Sequence, residues 1–237
     1  DRGRRGPRRG DAIKLLETHT AKHTDDAAAF FEMGKLYWLS NDMGAAAQSF
    51  EKAARLQPSN GDATRLAVLS YAQSKSPTSV DAQVTLLEKA VQENPSDAGL
   101  QYLLGLSRGM VQDYSGQAEA LDRARELDMG NPATQRASAV AHALQNDLAA
   151  AEDQLRLADP ASPDSLAAAG LVASLKGDNA VAGEKLRDAL AGKTSIEDES
   201  LTRLGLLLVE QGNYGEALTR LDEAARKNPA NDTARYF

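Results

Sequence analysis

The sequence predicts an all-α fold, made by stacking one helix-turn-helix unit against copies of itself. Three observations carry this. In the stretch Ala27 to Asn60, apolar residues fall at steps of three and four, first at Phe30, Met33, Gly34 and Tyr37, then at Ala46, Phe50 and Ala53. Between the two sets lies the turn sequence Ser40-Asn41-Asp42, and Pro58 stops the second helix. The pattern then recurs: Ala53 and Ala224 lie 171 positions apart, which is five steps of roughly 34 residues. A pair of helices this short cannot bury its own apolar face, so neighbours of the same kind are required. The composition, 42% hydrophobic and only 5% aromatic, suits a thin stack of small interfaces better than one large core.

Taken in order, residues 1–10 hold five arginines with Gly and Pro and no apolar period, and read as a basic linker or scar. From Asp11 to about residue 26 a helix carries Ala12, Leu16 and His19 at the spacing of Ala46, Phe50 and Ala53; it reads as the second half of a repeat. In the first full unit, Gly34 and Ala46 are small where two helices approach closely. The second unit, from Gly61, has Leu66, Val68 and Tyr71, a longer connection at 74–79, then Leu86, Leu87 and Ala90 before Pro95. The third shows Leu104, Gly105, Leu121 and Ala124, with polar departures at Gln101 and Arg108. Gln83 and Gln117 replace the small residue that opens the second helix in these two units. The fourth keeps Ala139, Ala151, Leu155 and Ala158, but Ser138 and His142 occupy positions that are apolar elsewhere, and Pro160 and Pro163 shorten its second helix. The fifth recovers with Ala169, Gly170, Ala182, Leu186 and Ala189. The sixth repeats the pattern almost completely, from Leu201, Leu204, Gly205 and Leu208 to Ala217, Leu221, Ala224 and Pro229, around the turn Gln211-Gly212-Asn213-Tyr214. The repeated region thus spans 27–231. Residues 232–237 read as the start of a capping helix or of another repeat.

This pattern resembles the tetratricopeptide repeat, with Phe30 standing where that family most often has tryptophan. The resemblance implies a right-handed α-solenoid of about six units with a leading half-repeat helix. It also implies that the first helices line a concave face. On that face the resemblance places Phe31, Lys35, Trp38 and Leu39, then Arg65, Leu69 and Gln73, then Tyr102, Leu106 and Met110. Arg136, Val140, Leu144, Ala167, Leu171, Leu175, Thr202, Leu206 and Val209 follow in the later units. The partner-binding candidates drawn from these are Phe31, Lys35, Trp38, Arg65, Leu69, Tyr102, Leu106 and Arg136. Aromatic and arginine side chains are the usual anchors of interfaces, and aromatics are scarce in this chain. The strip is wrong for the family's clamp for acidic peptide termini, which repeats Lys, Arg and Asn where this chain has Phe31, Leu69 and Leu106. An apolar or amphipathic helix fits it better.

Composition narrows the chemistry. The net charge is −7, and once the arginine-rich first ten residues are set aside the rest carries −11, which argues against general affinity for nucleic acid. There is no cysteine, hence no disulfide and no thiolate ligand or nucleophile. No apolar run approaches the length of a membrane span. His19 and His23 are one helical turn apart near Asp25 and Asp26, but no third ligand on a fixed element is evident, and they read as solvent-facing. His142 reads as a satisfied interior side chain. No phosphate-binding loop, nucleophile elbow or zinc-protease motif occurs. The expectation is a non-enzymatic scaffold without cofactor or metal, holding a protein or peptide partner, with self-association as a further possibility. Two other readings are the repeat region of a bacterial envelope assembly machine (exopolysaccharide export, secretion or pilus assembly) and the substrate-recruiting arm of an enzyme. The start at Asp1, with neither Met nor leader pattern, reads as a piece of a longer protein of cytoplasmic or periplasmic location.

Overall fold

A computed structural model describes residues 9–74, 80–229 and 231–236. The arginine-rich residues 1–8, most of the connection at 74–79, and Phe237 lie outside these. Among the described residues there are fourteen α-helices and no strand. The chain divides into two compact units, 1–113 and 114–237.

The first unit contains α1 (Arg9–Lys22), α2 (Ala27–Leu39), α3 (Met43–Leu56), α4 (Gly61–Gln73), α5 (Val80–Glu93) and α6 (Ala98–Met110). The leading helix α1 begins at Arg9, inside the stretch read as linker. Short polar side chains start the helices. Asp26 accepts from the Ala29 amide at 2.9 Å, Asp42 from Ala45 at 3.1 Å, Asn60 from Ala63 at 3.3 Å and Asp97 from Leu100 at 3.1 Å. Each satisfies one of the amides that a helix start leaves open. The core of this unit gathers around Phe50, which is buried with Ala46, Ala53, Ala54, Ala63, Ala67 and Leu86. Gly34 is what admits Phe50. A Cβ there would stand 2.6 Å from Phe50 Cδ1, closer than any side chain tolerates.

The second unit contains α7 (Tyr114–Leu127), α8 (Pro132–Leu144), α9 (Leu148–Leu157), α10 (Pro163–Lys176), α11 (Asn179–Ala191), α12 (Glu197–Glu210), α13 (Tyr214–Lys227) and the short α14 (Asp232–Tyr236). The Gly34–Phe50 arrangement recurs as Gly170 against Leu186 and Gly205 against Leu221, with Cβ-to-Cγ distances of 2.7 and 2.6 Å. The shortened helix is α9, with 10 residues. Pro163 takes the first turn of α10, where its missing amide is no loss.

The turns between paired helices share one backbone device. Asn41, Gln112, Asn146, Gly177 and Gly212, each two residues before the first residue of the helix that follows the turn, all have positive φ, between 61° and 88°. Gly and Asn adopt this left-handed conformation at little cost, and Gln112 is the departure.

Three of the polar departures seen in the sequence, Arg108, Ser138 and His142, have a common explanation. At successive junctions, an acidic residue on one helix accepts from a donor 20 positions later on the next. Tyr37 donates to Glu17 at 2.5 Å, Tyr71 to Glu51, Arg108 to Glu88 at 3.1 Å, and the His142 ring meets Asp122 at 3.0 Å. Ser138 also donates to Asp122, at 2.9 Å. Arg108 and His142 therefore replace apolar residues where a carboxylate waits for them. After the shortened α9 the pairing shifts to Lys176 and Glu152, 24 apart at 2.7 Å. Burial and the Glu17 carboxylate push the Tyr37 phenol up to about 12, so it stays a donor.

Candidate functional site

The candidate residues of the first unit lie on α2, α4 and α6, and these helices differ in how much side chain they release. Phe31 and Trp38 are half-buried. They pack on Phe50, with ring centroids 5.5 Å and 6.4 Å away, the second edge-on. Both rest against the buried cluster that includes Ala63 and Ala67. Each therefore serves the core with one face, and only the remainder is available to a ligand. Tyr102 is also half-buried. The aliphatic residues are the ones that reach solvent: Leu39 is 61% exposed, Leu69 42%, Leu106 36% and Met110 69%. Leu69 and Leu106 hold equivalent places on α4 and α6, which pack against each other. Leu39 and Met110 hold equivalent places at the ends of α2 and α6. Scattered exposed leucines are ordinary, whereas a run of them on neighbouring helices marks an interaction surface.

The cations of the strip are all engaged. The Lys35 ammonium lies 2.5 Å from Glu32 and 5.3 Å from the centre of the Phe31 ring. The Arg65 guanidinium is held by both Asp62 and Asp97. Burial works against its charge, yet the hydrogen bonds it donates to Asp62 and Asp97 raise its pKa above the usual value. Gly61 and Gly99 leave room for this arrangement, since a Cβ on either would stand 3.3 Å from an Asp97 oxygen. A shallow depression of about 610 Å³ opens beside it, lined by Arg65 and residues 94–99. Two of these partners were legible beforehand, because Glu32–Lys35 and Asp62–Arg65 are three residues apart on one helix face. Asp97, 32 positions from Arg65, was not.

In the second unit Arg136 lies on α8, 3.6 Å from Asp164. Asp164 is a junction in its own right. It accepts from the Ser195 amide at 2.6 Å and the Thr194 hydroxyl at 2.8 Å, and these bonds with Arg136 hold its carboxyl below the usual range. The strip does not stay open on the later helices. Ala167, Leu171 and Thr202 are buried, and Leu171 joins the core with Leu186, Leu204 and Leu208. Their inward-facing places are filled by packing within this unit. His19 bonds to Asp26 at 2.8 Å and stacks on His23. Among the described residues no group of three side chains is placed to hold a metal ion, and no helix is long and apolar enough to cross a membrane.

Paired helices joined by tight left-handed turns, with a small residue at each crossing, define a helical repeat protein. Residues 8–61 and 202–237 match the tetratricopeptide repeat family model, so these two segments carry tetratricopeptide repeats, and the helix pairs between them have the same fold. Among solved structures, a tetratricopeptide repeat protein from Parabacteroides merdae is similar with a TM-score of 0.74 at 14% identity, covering 96% of this chain and 91% of that one. A chain of the APC/C hetero-tetramer Cut9–Hcn1 gives a TM-score of 0.64 at 16% identity over 96% of this chain, which spans 45% of its length. PilW, described as a widely conserved type IV pilus biogenesis factor, gives 0.62 at 16% identity over 89% of this chain and 97% of its own. No curated protein matches. The repeat is one of protein-interaction scaffolds that bind protein or peptide partners, and it is typically non-catalytic.

Proposed function

We propose that this chain is a non-enzymatic scaffold that holds an amphipathic helix of a partner protein on the first-helix strip of its first unit. One observation supports this above the others: Leu39, Leu69, Leu106 and Met110 project into solvent from equivalent places on α2, α4 and α6. An apolar helix face laid on them would remove four large side chains from water at about 25 cal/mol for each Å² covered. Phe31, Trp38 and Tyr102 form the floor beneath, and Lys35 and Arg65 fix its edges through their carboxylates. Arg136 belongs to the proposed surface of the second unit. Assembly work of the kind named for PilW is the setting this reading favours.

The test is co-purification of partners with the full chain, repeated with Leu69→Ser and Leu106→Ser together. These residues are exposed, so the fold should persist while capture is lost. Undiminished capture by a variant with intact circular dichroism would remove this surface from consideration. Phe31 and Trp38 are poorer choices for substitution, because both support Phe50.

A further inference from the structure

The charge layer around the strip selects among amphipathic helices. Lys35 and Arg65, the two cations expected to anchor a ligand, are spent internally, the first on Glu32 and the Phe31 ring, the second on Asp62 and Asp97. In both pairs within one helix the acid stands further out than the base. Glu32 is 57% exposed against 44% for Lys35, and Asp62 is 67% exposed against 32% for Arg65. An arriving molecule therefore meets carboxylate oxygens first, with the cations beneath them. Around the exposed leucines Glu32, Asp62 and Asp97 stand with Lys35, Arg65 and Arg9, the last donating to the Leu39 carbonyl, so the sign an arriving ligand meets is set by which groups stand outermost, in a chain of net charge −7. A ligand carboxylate would have to displace a formed ion pair at each step. A ligand ammonium or guanidinium would find acceptor lone pairs still open, since a carboxylate takes about four hydrogen bonds.

We infer that the occupant of the first unit's strip is a basic amphipathic helix, its apolar face on Leu39, Leu69, Leu106 and Met110 and its flanking Lys or Arg side chains on Glu32 and Asp62. This rests on the function proposed above and adds the sign of the partner's charge. Long cationic side chains suit the task, because their stems cover apolar surface while their heads reach the acids. The attraction is superficial and therefore screened by salt.

The chain's single tryptophan, Trp38, lies on α2 next to Leu39 and serves as the reporter. Two synthetic helical peptides of about 18 residues, with the same leucine face and either Lys or Glu on the other positions, would be titrated against the full chain by Trp38 fluorescence. The Leu/Lys peptide should bind at least tenfold more tightly than the Leu/Glu peptide at low salt, and the difference should shrink as the ionic strength passes about 0.15 M. Glu32→Gln with Asp62→Asn should weaken the Leu/Lys peptide about five- to tenfold and should not weaken the Leu/Glu peptide, because it releases Lys35 and half of the hold on Arg65. Glu32→Gln alone, which spares Arg65, should give part of that loss. Equal binding of the two peptides, absence of binding by either, or a preference that survives loss of both acids overturns the inference. Leu69→Ser with Leu106→Ser separates the two claims: if both peptides bind and both lose affinity in this variant, the surface stands whatever their charge preference. If neither changes, the surface itself falls.

Discussion

Replacing Gly205 by alanine tests how the helix pairs are held. In the middle of an ordinary helix the change from glycine to alanine stabilises by about 1 kcal/mol. Here the new methyl would stand 2.6 Å from Leu221 Cγ and 2.8 Å from its Cδ2. Cγ is a branch point, and Leu221 is 2% exposed among Leu201, Ala224 and Ala234, so it has no free space to swing into. Overpacking of this kind costs about 1–3 kcal/mol. Taking its middle value against the propensity gain leaves a net loss of about 1 kcal/mol. Leu221→Ala alone should cost about 3 kcal/mol through the cavity it opens. In the double variant the added methyl enters that cavity, the clash disappears and only the propensity gain remains, so the two changes should be coupled by about 2 kcal/mol. Urea unfolding followed by circular dichroism measures all four corners of the cycle. Gly215→Ala, in α13, where an added Cβ would meet nothing within 4 Å, is the control and should stabilise by about 0.5 kcal/mol. Stabilisation by Gly205→Ala, or simple additivity with Leu221→Ala, would refute the close-approach argument.

Gln112→Gly should stabilise by about 0.5 kcal/mol in thermal melts, since a left-handed backbone costs a side-chain-bearing residue about 1–2 kcal/mol and glycine loses part of that gain to its freedom in the unfolded chain. Phe50→Ala should cost about 3–5 kcal/mol and shift Trp38 fluorescence to the red, because Phe50 is the surface on which that indole rests. Asp26 and Asp164 both have carboxyls held below the ordinary value of 3.8, chiefly by the backbone amides of Ala29 and Ser195. Their contribution is therefore complete above that value and is lost as pH falls below it through the depressed folded value. An acid titration of stability should lose part of its slope below about pH 4 in Asp26→Asn and Asp164→Asn.

Much of the fold was legible because its determinants are local. The periodic apolar residues, the caps and the glycines facing Phe50, Leu186 and Leu221 recur at fixed offsets within a unit, and one unit read closely predicts the next. What escaped the sequence reads across units. Arg108 departs from the apolar pattern and His142 reads only as satisfied by an unnamed neighbour; their partners, Glu88 and Asp122, lie 20 positions earlier on another helix. The candidate surface divides in the same way. Leu69 and Leu106 are exposed, but Leu171, at the equivalent step of α10, is buried in the core around Leu186 and Leu204. The pattern of types is the same in all three. Exposure depends on how closely neighbouring helices settle, and side-chain spacing alone does not encode that. Lys35 and Arg65 are paired with acids three residues away on the same helices, a spacing that is visible in the sequence.

Wherever the twenty-residue pairing occurs, the acid belongs to the earlier helix and the donor to the later one, and the donors Tyr37, Tyr71, Arg108 and His142 are chemically interchangeable in that role. The joints are thus polarised but not individually keyed. If the segment from Gly61 through Asp97 were excised, Glu51 would come to face Arg108, and the seam would close with acid and donor still matched. A segment lost or gained whole at this joint would leave neither the acid nor the donor of the pair without its partner.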